Sequence, residues 1–560
     1  MREYCFIALV ALLVHGLLLL NDGLYWDGWL IYTGIREGNW KRLHVLSFDR
    51  GAPTDFLYFV LLSHFKNILL GCRVVVFTCI ILTAYAIFRA CSESTFLSRR
   101  ESLFVALISI TYPAFQTWAE LSTGHYVVYY TLFWLASLSA LGSERSRGVR
   151  RIVLRCLALA AFFLSFGLNS LLVFYAGFVF LLLFVRRRKS CFNGEESILE
   201  FLPRCLDFLV LPFLYWTAKQ CLFPRFGLFA DYNKFQLGFL SVGRQFASFF
   251  YHGIYTQLND SLQLLLIQPA LILLGWGACR WWAASVGPRI NEPSNGFPTA
   301  ASKILFFGLG LLSLAMLPYA LVGRSPSSHG YSTRHALLLG FPLALILVST
   351  ARLAFCKEPG ILPGSWAAFL RISVLLFGAA TIRNHFSFQA RWVKVRSVMM
   401  NLAQITDAGK YSIFWVKDRF REIPLRLDNE LYSYHEWSSI FKTLWGNERR
   451  IGIDERGKGA RSLSAFLHFK DFFNLSDFNP AGCQAVLTIT PGTAARGDGR
   501  LARGYLFYKY FDKDKLDGFL RQVTVVQVEA RQDPRATDCQ LSSNSPPDRP
   551  TRRTRRSPRG

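Results

Sequence analysis

Apolar runs of near-membrane length, separated by short polar breaks, fill the first two thirds of the chain. A helix needs about 20 largely apolar residues to cross a bilayer. About eleven segments approach that: 4–20, 72–89, 103–118, 126–141, 152–168, 171–185, 206–223, 262–282, 304–322, 336–353 and 366–382. The runs are continuous rather than alternating, which excludes a transmembrane β-barrel. The stretch 56–70 is apolar but interrupted by His64 and Lys66, and reads as an interfacial or half-buried helix. The stretch 224–260 is amphipathic and aromatic, as expected of a helix lying on the outer interface.

Beyond residue 383 the pattern changes. KYSIFWV and CQAVLTIT read as strands bounded by turn residues, and VTVVQVEA as an alternating strand. YSYHEWSSIFKTLWG and LSAFLHFKDFF read as amphipathic helices between them. The expected fold is therefore an all-α polytopic membrane protein with a small extracytoplasmic α/β C-terminal domain. The membrane domain would take 1–383, the α/β domain 384–530, and a basic disordered tail 531–560.

Composition agrees: 52% of residues are hydrophobic and only 18% charged, which is low for a soluble chain of 560 residues. The net charge of +26 would suggest nucleic acid in a soluble protein. Here the cations cluster between apolar runs, at Arg99-Arg100, Arg145 to Arg151 and Arg186 to Lys189, so topology explains them and no nucleic-acid partner is expected. The positive-inside rule puts the N-terminus in the cytoplasm and the C-terminal domain outside. The run 4–20 lacks a small-x-small cleavage site and reads as a retained first helix. The Arg-rich tail and the lack of a retention signal favour a bacterial inner membrane. The 12 cysteines form no CxxC pair; Cys483 and Cys539 alone lie in the polar C-terminal part, where an extracytoplasmic location would permit a disulfide.

No P-loop, HExxH, GxSxG or EF-hand pattern is present, so ATPase, zinc-protease and serine-hydrolase readings lack their usual marks. The unusual polar residues gather instead at the expected outer turns. The loop after the first run, NDGLYWDGWLIYTGIREGNWKRLHVLSFDRGAPTD, carries five acids. Asp27, between Trp26 and Trp29, is the first choice for a general base, with desolvation raising its pKa. Asp22 is the second choice, and Glu120 would share the work or orient an acceptor. For an anionic leaving group, Arg324, Arg334 and His335 in the GRSPSSHGYSTRH loop and Arg50 offer fixed positive charge. Lys66 needs a partner within its apolar segment, and His125 and Asn169 sit at neighbouring turns.

A first helix followed by an acidic outer loop with an amphipathic helix, an acid at the outer end of the third span, many spans and an extracytoplasmic C-terminal domain resemble the GT-C superfamily of membrane glycosyltransferases. Protein O-mannosyltransferases and aminoarabinose–lipid A transferases belong to it. The resemblance is architectural and covers residues 1–385. It implies an inverting hexosyltransferase acting outside the cytoplasm, a polyprenyl-phosphate-linked sugar as donor, and a glycan, lipid or protein acceptor. The loop lacks the adjacent acidic pair common in that family. Some relatives use a divalent cation, for which Asp22, Asp27 and Glu120 would supply oxygens, although no spacing demands one. A flippase for lipid-linked glycans and a non-catalytic membrane scaffold are the alternative readings.

Overall fold

The computed structural model describes residues 2–94, 97–179, 205–231, 233–236, 238–267, 277, 297–355, 365–420, 434–454, 470 and 472–531. They are mostly helical, with one small sheet. By length and composition, six helices among them are able to cross a membrane: Arg2–Leu20, Ile68–Ser94, Gly124–Ser143, Ala301–Ala320, Tyr331–Phe355 and Trp366–Leu402. Each coincides with one of the expected runs.

The other five runs take different forms. The run 103–118 becomes the 13-residue helix Arg99–Thr111. It starts on a capping box, in which Ser98 accepts from the Glu101 amide and Glu101 accepts from the Ser98 amide. It stops at Tyr112, the residue before Pro113, where a helical conformation is disfavoured. The run 152–168 lies in the helix Gly148–Ser165, which also carries Arg150, Arg151 and Arg155. Arg155 forks onto Asp207 at 2.5 and 2.6 Å, tying this helix to Leu206–Leu222. The runs 171–185 and 262–282 begin in the helices Ser170–Val179 and Thr256–Ile267, and their remainders fall outside the described residues. So do the cluster Arg186 to Lys189, Cys539, most of the LSAFLHFKDFF segment and the tail from 532.

The chain divides into two compact units. The first, Met1–Gly23 with Ile35–Phe388, is the membrane unit. Its helices meet at small residues and hold their buried polar groups in pairs. A Cβ on Gly340 would lie 2.5 Å from the Ser109 carbonyl oxygen, so only glycine permits that approach. Thr83 and Thr131 hydroxyls meet at 2.8 Å, and Thr381 donates to the Thr111 carbonyl at 2.8 Å. His15 Nε2 donates to the Ile110 carbonyl, which leaves Nδ1 to accept from His385 Nε2 at 3.2 Å. Arg73 is fully buried and donates to the carbonyl oxygens of Gly23 (2.7 Å) and Asn21 (3.4 Å), satisfying backbone that no helix serves.

The second unit joins the segment Leu24–Gly34 to the chain from Gln389 onward. Its sheet has the order β2-β1-β3-β4, with β1 Ile413–Asp418, β2 Ile451–Asp454, β3 Gln484–Pro491 and β4 Thr524–Ala530. β1 pairs in parallel with β2 and β3, and β4 closes the other edge antiparallel to β3. Parallel neighbours need a crossover, and the helix Tyr434–Trp445 lies between β1 and β2 in the chain. Ala485, Leu487 and Ile489 alternate into the core along β3. The three expected strands are present; β2 and the helices Asp498–Phe511 and Lys513–Arg521 are additions.

Candidate functional site

The acidic loop is shared between the two units, so the two leading acids part company. Asp22 belongs to the membrane unit and Asp27 to the C-terminal unit. Trp26 holds a backbone φ of 36°, a left-handed conformation costly for a bulky residue. What holds it there is a buried ion pair. Glu436 Oε1 accepts from the Trp26 amide at 2.7 Å and from Arg391 at 3.1 Å. The Arg391 guanidinium also stacks 4.4 Å from the Trp26 ring. The side chains of Arg391 and Glu436 are 2% and 1% exposed, so this is interior structure.

Asp27 follows directly. Its carboxylate lies 3.0 Å from His435 Nε2 and keeps 42% of its side-chain surface exposed. His435 precedes Glu436 on the helix Tyr434–Trp445, so adjacent residues of one helix hold adjacent residues of the loop. A turn further on, Asn474 bridges Ser439 (2.9 Å) to Thr33 (3.3 Å), fixing the helix Gly28–Glu37 that begins after Asp27. Trp26 and Trp29 are buried in this unit. Asp27 keeps access to solvent while its neighbours are buried. The sequence offered no sign of His435, which reads there as one polar position of an amphipathic helix.

The membrane unit holds a second carboxylate cluster. Arg50 forms an ion pair with Asp55, whose side chain is 1% exposed. The Tyr129 hydroxyl lies 2.8 Å from Asp55 and 2.7 Å from Thr54. His125, one helical turn before Tyr129, places Nε2 3.5 Å from both Asp55 and Arg50. Burial pushes the Asp55 carboxyl up, but His125, the Arg50 guanidinium and Tyr129 outweigh it and hold it below the ordinary carboxylate range. Two expected site residues, Arg50 and His125, are thus brought together around an acid that sequence reasoning had set aside. The signal was there in the five-residue step from Arg50 to Asp55, but nothing in it pointed to Tyr129.

A third set joins Glu120 to the Arg334–His335 pair. Buried Glu120 accepts from the Ser122 amide (3.1 Å) and hydroxyl (2.7 Å). That hydroxyl lies 3.3 Å from the Tyr331 hydroxyl. Arg334 stacks 3.7 Å from the Tyr331 ring and donates to His335 Nε2 at 3.4 Å, while His335 Nδ1 donates to the Ser325 carbonyl at 3.1 Å. Asn169 accepts from the buried Lys219 at 2.6 Å, another partner unseen in the sequence. Arg324 is exposed in its loop. Lys66 is exposed in the turn between Thr54–Ser63 and Ile68–Ser94, so it does not interrupt an apolar helix and needs no buried partner. Among the described residues no group of three or more His, Cys, Asp or Glu is placed to hold a metal ion.

No protein-family model, curated protein or solved structure matches the chain. What the geometry offers chemically is a carboxylate–imidazole pair whose Asp27 reaches solvent in one unit and buried polar clusters in the other. A carboxylate held by an imidazole donor is oriented for proton transfer.

Proposed function

We propose that the chain is an integral-membrane glycosyltransferase of GT-C type, transferring a sugar from a polyprenyl-phosphate donor to an extracytoplasmic acceptor. The observation that carries this reading is the Asp27–His435 pair, solvent-accessible in the loop that follows the first span. Asp27 takes the proton of the acceptor hydroxyl as its oxygen bonds to the anomeric carbon. The bond from that carbon to the phosphate oxygen breaks on the opposite face, configuration inverts, and polyprenyl phosphate leaves. His435 holds the carboxylate in place. On chemistry alone, Arg50, Arg324, Arg334 and His335 are assigned to the phosphate.

The full reading keeps about eleven spans, the N-terminus in the cytoplasm and the C-terminal domain outside, in a bacterial inner membrane. Cys483 is disulfide-bonded, which suits an oxidising side of the membrane for the C-terminal unit. The test is Asp27→Asn in membranes supplied with polyprenyl-linked sugar. Loss of glycan product at normal expression supports the reading, and unchanged product removes Asp27 from the mechanism.

A further inference from the structure

The membrane unit contains an apolar cavity of about 740 Å³, lined from the helices Ile68–Ser94, Gly124–Ser143, Ser170–Val179, Phe297–Ala320 and Gly340–Phe355. Its Lys303 end lies far from the polar clusters, while its inner end at Trp134 is nine residues, about 13.5 Å along one helix, from His125. Tyr58 meets both Cys72 and His125, which marks the polar end of the helix Ile68–Ser94. The cavity begins at Ala90 on the same helix, 18 residues or about 27 Å further along.

Its shape matches one lipid leaflet. Along the helix Phe297–Ala320 the lining runs from Lys303 to Leu314, about 16 Å at the helical rise. Half of a bilayer's hydrocarbon core is about 15 Å. Lys303, the charged residue of the lining, is exposed at the end where the chain also places Arg99 and Arg100. From there the walls are apolar down to Trp134 and Leu314. A space of this size beside hydrocarbon fills with hydrocarbon rather than water, because its lining gives water almost no hydrogen-bond partners.

We propose that this cavity binds one acyl chain of an anionic phospholipid from the leaflet at the Lys303 end, with the lipid phosphate on Lys303. The depth favours a phospholipid over a polyprenyl phosphate, whose chain outruns one leaflet. The assignment is independent of the glycosyltransferase reading.

Gly310 supplies the test. It lines the cavity, and a Cβ there would meet nothing within 4 Å, so a side chain can grow into the space without displacing backbone. Purified protein would be examined by native mass spectrometry with added phosphatidylglycerol, phosphatidylcholine or undecaprenyl phosphate. The expected result is one phosphatidylglycerol retained by the wild type. Gly310→Trp should weaken that binding about tenfold or more, a change of about 1.4 kcal/mol, with the thermal midpoint unchanged. Lys303→Gln should erase the preference for phosphatidylglycerol over phosphatidylcholine. Equal retention in Gly310→Trp, an unaltered preference in Lys303→Gln, or preferential retention of undecaprenyl phosphate by the wild type each overturns the proposal. Should Gly310→Trp fail to fold, the exposed Lys303→Gln change still decides it.

Discussion

Asp27 and Asp55 are both aspartates facing a histidine, yet their surroundings give them opposite work. Asp55 is 1% exposed and shares Arg50, Tyr129 and His125. Asp27 is 42% exposed beside His435. A carboxylate enclosed by donors is committed to holding the fold, while one open to solvent is available to a substrate. The comparison breaks most visibly at Asp27→Asn. On the proposed function, that change should lower glycosyl transfer by about 10²–10⁴-fold, the range typical of a lost general base. Its effect on thermal stability should stay under about 1 kcal/mol, as for other exposed pairs. A large drop in melting temperature with proportionate loss of activity would make Asp27 structural as well.

Asp55→Ala is the mirror experiment. Removing one partner of a buried pair typically costs about 3–5 kcal/mol, because the other charge stays behind. Thermal unfolding in detergent should report a loss of that order. Acid should separate the two sites further. The folded Asp55 carboxyl titrates below its ordinary value, so its stabilisation is fully present above that value, about pH 4. It is lost as pH falls through the folded value. The wild type should therefore lose this contribution below about pH 4, while Asp55→Ala lacks it throughout. Melting curves of equal slope against pH in both proteins would sink the assignment.

The contrast explains what could be read from the chain and what could not. Six helices of membrane-crossing length follow from apolar length alone. The helix Gly148–Ser165 defeats that criterion because Arg150, Arg151 and Arg155 lie inside it, and only the fold reveals Asp207 as the partner of Arg155. Three strands announced themselves by β-branched and alternating residues, whereas β2 is four residues long and too short to carry a period. The acidic loop stands out in the sequence, but its division between the two units does not. Trp26 and Glu436 are 410 residues apart in the chain, and no local pattern encodes such a contact. For the same reason Asp55 looked like one loop acid among five.

The buried pair behind Asp27 offers an intermediate case. Glu436→Gln keeps the shape but removes the negative charge facing Arg391 and weakens the bond to the Trp26 amide. Stability should fall by about 1–3 kcal/mol, as for other buried groups left unsatisfied. Because Trp26 sits at a positive φ that this bond maintains, activity should fall further than unfolding alone accounts for. Comparing initial rates at a temperature where the variant remains folded separates the two effects. A rate equal to the wild type there would show that the Trp26 conformation does not position Asp27.

A small change in stability is expected at Arg334, and it tests whether a cation in the membrane unit has a role beyond packing. Arg334→Lys retains the charge but loses the planar guanidinium that stacks 3.7 Å from the Tyr331 ring. A cation–π contact of this kind contributes about 0.5–2 kcal/mol, and a lysine recovers part of it, so the melting temperature should shift little. If Arg334 recognises phosphate oxygens through paired N–H donors, the KM for a polyprenyl-phosphate donor should rise while kcat changes less, because lysine binds phosphate as a point charge. If Arg334 serves only the link from Tyr331 to His335, KM stays at the wild-type value and only the melting temperature moves. The ratio of the two effects, measured in the same preparation, therefore decides whether Arg334 holds the fold, as Asp55 does, or takes part in the proposed recognition of the donor phosphate.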